Sequence, residues 1–235
     1  MKKIEQPLIL SLETSTRASS IAVLRHNAVL AEKKSNENFS QSSQLLFDIS
    51  EVLRQAGAEL RQIDLLASAV GPGSFTGLRI GLATAKALAN ALKIPVCGVS
   101  TLLAAAINAN KTGENWILLA AGRSEYFVQS FIKDKDGVLN INSEIEIYNL
   151  ENLLEKVGGK HFIHWISTPE TIELVSGIKI DQKWSFQPLP ENLAISVGKI
   201  ASEVFLKGNL EMNPLDAVYA RGADIGTGKN AISAI

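Results

Sequence analysis

The sequence predicts an α/β protein in two lobes. Three observations carry that reading. Three short β-branched or leucine-rich runs follow one another across turn-sized gaps near the start; helix-period and strand-length apolar segments then alternate; and a looser alternation begins after the polar stretch Asn108 to Asn115.

Leu8 to Leu12, Ser20 to Leu24 and Val29 to Lys33 are the strands of an opening meander. Asn38 and Ser40 offer N-caps to a helix over about 41–56, and Gly57 stops it. Leu65 to Val70 is a fourth strand. It enters Gly71-Pro72-Gly73-Ser74-Phe75-Thr76-Gly77, a structural loop whose glycines and proline exclude regular structure locally. A long helix follows over about 78–92 and ends before Pro95. Val96 to Val99 is a fifth strand, and Ser100 or Thr101 caps an alanine-rich helix. The later crossovers require parallel strands, so the sheet is mixed. These elements define a first lobe over 1–107.

A second, smaller lobe is expected over 108–222. Its pieces are strands at Trp116 to Ala120 and Tyr126 to Ile132, the turn Lys133-Asp-Lys-Asp-Gly137, and the alternating Ile145-Glu-Ile-Tyr148. A strand at Phe162 to Ile166, a short helix after Pro169 and a capped helix over about 190–206 complete it. Residues 223–235 have few periodic apolar positions and read as a loose tail.

Composition bounds the function. The 235 residues are 46% hydrophobic and 20% charged, with 23 Lys+Arg against 24 Asp+Glu. A chain of this length buries roughly 70% of its unfolded surface without staples. The formal net charge of −1 argues against a broadly basic nucleic-acid surface and leaves only a local patch open. Cys97 is the one cysteine, which excludes an internal disulfide framework and a cysteine-cluster zinc site and fits a reducing, cytoplasmic location. The run Leu8 to Leu12 after Met1 to Pro7 is too brief for a signal core, and no stretch approaches the roughly 20 apolar residues of a membrane span.

The glycine loop invites a phosphate-binding reading, but Leu78 and Arg79 follow Gly77 where a phosphate loop needs lysine and a hydroxyl. Thr76 stands where a dinucleotide fingerprint needs its third glycine. Backbone amides of Gly73 to Thr76 can still cup an anion at a helix start; the alternative is a tight turn that needs glycine dihedrals. The hairpin Glu13-Thr-Ser-Thr-Arg17 with Ser19-Ser20 either surrounds a phosphate, Glu13 holding a metal-bound water, or satisfies its own backbone. Nucleophilic catalysis finds no Gly-x-Ser-x-Gly elbow. His161 and His164 are three apart on a predicted strand and point to opposite faces, so they read as structural or surface residues, not ligands of one metal. No catalytic, metal or cofactor residue is assigned.

The helix after the loop stands out. At 100° per residue Arg79, Lys86, Asn90 and Lys93 fall in one narrow polar strip, leaving an apolar arc of roughly 260° broken only by Thr84. Leu78, Leu82, Leu88 and Leu92 fit a sheet-facing side, while Ala83, Ala87 and Ala91 form an i, i+4, i+8 row beside Ile80. A row of small residues lets a neighbouring helix approach closely; the alternative is a helix buried within its own chain. On the earlier helix Leu45, Leu46, Ile49, Val52, Leu53 and Ala56 make a core stripe, and Phe47 lies on the other side near Ser43, Ser50 and Arg54. Alone an outward aromatic is ordinary, since single exposed apolar residues are common, but with the second helix it suggests an anchor on a surface prepared for another pair of helices.

Residues Leu8 to Leu24, the run Gly71 to Ala89 and Gly98-Val-Ser-Thr101 resemble the TsaB family, also called YeaZ, and Val218-Tyr-Ala-Arg221 is similar to its late Tyr-x-Arg. The resemblance implies a two-lobed fold of the actin, sugar-kinase and Hsp70 (ASKHA) superfamily and a non-catalytic role in bacterial tRNA modification. It implies docking of the catalytic subunit TsaD through first-lobe helices and cooperation with the ATPase TsaE. Threonylcarbamoyl would pass from its adenylate to the adenosine beside the anticodon, with tRNA contacted indirectly, and homodimers would form through the same helices when TsaD is absent. The interface is thereby expected at Ser43, Phe47, Ser50, Arg54, Ile80, Ala83, Thr84, Ala87 and Ala91. The chain departs from the family pattern at Phe39, before Ser40, where histidine is common, and at Ala121-Gly122-Arg123, where Asp-x-Arg is typical. Alternatives are an ATP-using ASKHA enzyme, with Glu13, Thr14 and the glycine loop on phosphates, and a glycoprotease-like peptidase.

Overall fold

A computed structural model describes residues 4–17, 19–35, 42–159, 162–177 and 183–218. The caps expected at Asn38 and Ser40, the Tyr219 to Arg221 motif and the tail over 223–235 lie outside the described residues. The chain divides into two compact units, Met1–Ala104 with Glu191–Val218, and Ala105–Pro190 with Tyr219–Ile235.

The first unit is built on strands β1 (Leu8–Glu13), β2 (Ser20–Arg25) and β3 (Ala28–Lys34), then helix α1 (Ser42–Gln55), β4 (Leu65–Gly71), α2 (Phe75–Leu92) and β5 (Val96–Ser100). Helix α3 (Thr101–Ala106) follows, its Leu103 amide donating to the Ser100 hydroxyl at 3.4 Å. The sheet order is β3-β2-β1-β4-β5. The meander pairs antiparallel, and β1–β4 and β4–β5 pair parallel, as crossovers through helices require. Every residue of β1 and β4 is buried, because helices cover both faces. Alternation along β2 shows the two layers. Ile21 and Val23 join the core of Leu45, Ile49, Val52 and Leu82 from α1 and α2, while Ala22 and Leu24 pack with Ala194 on the other side.

That Ala194 belongs to the helix expected in the second lobe. Helix α6 (Leu193–Lys207) instead lies on the first unit's sheet, against β1, β2, β4 and β5. Asn192 caps it, and the Ala194 amide donates to the Ser20 hydroxyl at 3.1 Å. Periodicity reveals that α6 has a buried face; it does not reveal which sheet covers it.

The second unit contains β6 (Gly113–Gly122), β7 (Glu125–Lys133), β8 (Leu139–Ile141), β9 (Glu146–Asn149), α4 (Leu150–Val157), β10 (His164–Ser167), α5 (Pro169–Ser176) and β11 (Ser185–Pro188). The sheet runs β11-β10-β6-β7-β8, with β9 also on β7. Its core joins Trp116, Leu118, Val128, Leu153, Val157 and Trp165. Strands β8 and β11 and helix α4 are additions to the sequence reading. The strands are three and four residues long, and α4 is two turns starting directly from β9, below the length at which a period declares itself.

Candidate partner interface

Helix α2 begins one turn earlier than expected. The Ser74 side chain accepts from the Gly77 amide, so Phe75 to Gly77 are helical rather than loop. The glycines there serve close approach. A Cβ at Gly73 or Gly77 would overlap the backbone carbonyl oxygen of Ser15 or Thr14 in the β1–β2 loop, and one at Gly81 would strike the Thr14 hydroxyl. The Ser74 amide donates to the Ser15 carbonyl at 2.7 Å, and the Thr14 hydroxyl donates to the Gly77 carbonyl at 2.8 Å. The loop and the start of α2 are thus one unit, which fixes the helix on the sheet.

Seated this way, α2 buries Leu78, Gly81, Leu82, Ala85 and Ala89. Leu88, Leu92 and Ile80 are half-buried against the same core. Ala83, Ala87 and Ala91 are exposed, as are Arg79, Lys86 and Asn90. Thr84, expected on the outer face, is instead buried, 9% exposed. At 100° per residue it falls between exposed Ala91 and half-buried Leu88, at the border of the buried side.

On α1, Leu45, Ile49, Val52 and Leu53 are buried and Phe47 is 62% exposed, beside exposed Ser50 and Arg54. Ser50 donates from its hydroxyl to the Phe47 carbonyl at 2.7 Å. The side chain of Ser43 lies outside the described set. Leu46, expected in the core stripe, is 50% exposed. Asp48 takes the inward position instead, 2% exposed, because Lys33 of β3 and Gln44 both donate to its Oδ1, at 2.8 and 2.9 Å. Lys33 also pairs with Glu51 and lies 5.9 Å from the Phe47 ring centre. Its partners, first through hydrogen bonds and then through charge, push the Lys33 ammonium above its ordinary range. Phe75, expected in the glycine loop, stands instead on α2; it is 51% exposed, with the Arg79 guanidinium 3.7 Å from its ring centre. Recognising Ser74 as an N-cap would have placed it on the helix. Helices α1 and α2 touch and pack against one hydrophobic core.

The residues considered for chemistry are hydrogen-bonded within the chain. Glu13 is fully buried, and its Oε1 accepts from the Ser15 amide and hydroxyl, both at 2.6 Å, and from the Thr16 amide at 3.0 Å. Its Oε2 accepts from the Thr16 hydroxyl at 2.6 Å. Desolvation raises the pKa of the carboxyl, against the opposing pull of those hydrogen bonds. The hairpin therefore satisfies itself, and the Ser15 hydroxyl extends it to Thr101 at 2.9 Å. His26 bonds Ser202 at 2.8 Å, and His164 bonds Ser185 and Gln187 at 2.8 and 3.1 Å. His161 lies outside the described residues. Among the described residues no group of three or more His, Cys, Asp or Glu side chains is placed to hold a metal, and no helix is long and apolar enough to cross a membrane.

The family model described as "TsaD: tRNA N6-adenosine threonylcarbamoyltransferase" matches residues 30–218. The "tRNA threonylcarbamoyladenosine biosynthesis protein TsaB" of Escherichia coli K12 is 34% identical over 133 residues, which cover 55% of this chain and 57% of that protein. The protein of the same name from Buchnera aphidicola subsp. Baizongia pistaciae is 30% identical over 153 residues, 63% of this chain and 69% of its own length. The chain thus matches a little over half to two thirds of these relatives. Among solved structures, YeaZ from Pseudomonas aeruginosa superposes with a TM-score of 0.72 at 22% identity, over 91% of this chain and 99% of that one. An inorganic polyphosphate/ATP-glucomannokinase from Arthrobacter sp. strain KM reaches 0.51 at 11% identity, over 86% and 99%. At those identities the likeness concerns the fold, an ASKHA-type α/β architecture with mixed sheets, as the sequence resemblance implied. With the TsaD-type model spanning most of its length and TsaB proteins as its sequence relatives, the chain belongs to the TsaB (YeaZ) family.

Proposed function

We propose that this chain is a non-catalytic subunit in the biosynthesis of tRNA threonylcarbamoyladenosine, and that the α1–α2 face docks a TsaD-type catalytic subunit. The observation that carries the reading is the exposure of Ala83, Ala87 and Ala91 beside a neighbouring helix that turns Leu46 and Phe47 outward. Small side chains let a partner helix approach to about 8 Å between axes, and the aromatic supplies an anchor at the edge. An interface of standard size, about 1,600 Å² in total, fits two helices meeting two helices. The names of the sequence relatives support the pathway, and the structural engagement of Glu13, His26 and His164 supports placing the chemistry in the partner. A TsaE-like ATPase completes the assembly, tRNA is reached through the complex, and the site of action is the cytoplasm.

Co-expression with a TsaD-type subunit tests this directly. The two proteins should co-purify, and threonylcarbamoylation of a tRNA transcript should require both, together with the TsaE-type ATPase and the adenylate. Modification that proceeds equally well without this chain, or turnover of ATP by this chain alone, would overturn the reading.

A further inference from the structure

Two peptide planes of the β1–β2 loop face Glu13 with one end and helix α2 with the other. Both are trans, so the N–H and the C=O of each point in opposite directions, and fixing one aims the other. The Ser15 and Thr16 amides donate to Glu13 Oε1, at 2.6 and 3.0 Å. Across the same planes lie the carbonyls of Thr14 and Ser15. The Ser15 carbonyl accepts from the Ser74 amide at 2.7 Å and stands against Gly73, while the Thr14 carbonyl stands against Gly77, so close that neither glycine has room for a Cβ. Ser74 is the N-cap of α2, and Gly77 lies in its first turn. The Glu13 carboxyl is fully buried, and dipoles alone hold it. The Ser15 and Thr16 hydroxyls complete its shell, each at 2.6 Å, and among the described residues no lysine or arginine pairs with it.

Resting on the docking role proposed above, we infer that Glu13 is a positioning residue: its side-chain oxygen orients the two loop peptides that seat the first turn of α2, and so sets the pose in which α2 meets a TsaD-type subunit. Buried beneath the loop, Glu13 acts through α2 and not by touching the partner. The loop needs an acceptor oxygen there, rather than bulk. A side chain that fills the space without accepting leaves two amides against an apolar group, and turning either peptide toward another acceptor swings its carbonyl off α2. A helix is stiff along its length, so a shift at the first turn is carried to Phe75, Arg79 and the row of Ala83, Ala87 and Ala91.

Substitutions of Glu13 in the full chain separate acceptor from bulk. Glu13→Gln keeps an acceptor oxygen, Glu13→Met keeps volume without one, and Glu13→Ala removes both. Hydrogen exchange of the free chain, read by NMR, reports the link between loop and helix. The Ser74 amide should exchange about tenfold faster in Glu13→Met and Glu13→Ala than in the parent, while the amide of Ala85, in the middle of α2, keeps its rate. Affinity for a TsaD-type subunit, measured where every variant is folded, should fall about tenfold for Glu13→Met and Glu13→Ala and stay within about threefold of the parent for Glu13→Gln. Should neither weak variant fold, Thr16→Val decides in their place. It removes one donor from Oε2 at a half-buried residue, and Ser74 exchange and affinity should then shift together by about threefold. If Glu13→Met exchanges and docks like the parent, Glu13 only fills space and the inference is lost. A Glu13→Gln variant as weak as Glu13→Met would also end it, as would faster exchange at Ser74 with unaltered affinity; both leave the docking role standing. Failure of the parent itself to bind the TsaD-type subunit would remove the docking role and this inference together.

Discussion

The hydroxyl of Thr14 donates to the carbonyl oxygen of Gly77 at 2.8 Å, joining the loop after β1 to the first turn of α2 across 63 residues of sequence. The contact needs the absence of a side chain at Gly77, where a Cβ would overlap the Thr14 carbonyl. A helical Gly→Ala substitution ordinarily stabilises by up to about 1 kcal/mol. Here the sign should reverse. Gly77→Ala should cost about 1–3 kcal/mol through overpacking against backbone, measured as a lower urea midpoint. Gly159→Ala, where a Cβ meets nothing within 4 Å, serves as the control and should stay within about 0.5 kcal/mol of the parent.

Ala87→Arg should leave the isolated chain folded, because the position is exposed, and should abolish both association with a TsaD-type subunit and modification in the reconstituted reaction. A guanidinium inserted into the row prevents close helix approach and cannot be buried without a partner. Calorimetry of the free protein and pull-down with the partner separate the two effects. Normal binding by this variant would remove the row from the interface.

Phe47→Ala should weaken docking by about 1–3 kcal/mol, roughly fivefold to 150-fold in Kd. Thermal stability should change little, since the ring is 62% exposed. A fall in melting temperature of more than about 5 °C would show that Phe47 supports α1 itself through its contact with Lys33.

These expectations rest on features that were legible in the sequence for physical reasons. The meander β1–β3 declares itself because strand-length runs are separated by turns too short to hold a helix, and the outward placement of Ala83, Ala87, Ala91 and Phe47 follows from helical geometry alone. What was not legible depends on distant parts of the chain. The close approach at Gly73 and Gly77 comes from the β1–β2 loop, so a local reading attributes those glycines to dihedral freedom instead. Helix α6 shows its apolar face in sequence, but only tertiary structure assigns it to β1, β2, β4 and β5. Leu46, expected in the stripe, turns outward while Asp48 turns inward, because Lys33, on another element, gives the aspartate a partner. The hairpin at Glu13 reads from sequence either as holding a ligand or as satisfying itself, because which donors reach the carboxylate depends on how the loop folds.

Glu13 also has a pH signature. Its native pKa is raised above the ordinary 4.5, with burial the largest cause, so between those two values the native state holds more protons than the unfolded chain. Unfolding free energy from this group therefore falls as pH rises through that window and levels off above it. Other carboxylates obscure the trend, but Glu13→Gln lacks it. The stability of the parent minus that of Glu13→Gln should decline as pH climbs from 4 toward neutrality; a difference independent of pH would mean that the hydrogen bonds from Ser15 and Thr16 fully offset the desolvation. Glu13→Ala removes the acceptor altogether and should cost about 1–3 kcal/mol, because buried donors of the loop lose their partner.

Cys97 is buried in β5, and desolvation pushes its thiol up to about 12. The thiolate is the reactive species, so at pH 8.5 an unfolded chain with an ordinary thiol is about half ionised while the native protein has almost none. Iodoacetamide should consequently label the native protein at pH 8.5 at least a hundredfold more slowly than the protein in guanidinium, with burial adding to the ionisation effect. The same linkage sets a sign for stability. Above about pH 9 the unfolded state releases the thiol proton that the native state keeps, so this group lowers unfolding free energy as pH rises toward 12. Cys97→Ala should flatten that alkaline decline relative to the parent. It should also cost about 1 kcal/mol at neutral pH for the lost sulfur packing. Rapid native labelling would place the sulfur within reach of water and contradict its burial in β5, and an unchanged alkaline slope in Cys97→Ala would assign the decline to other groups.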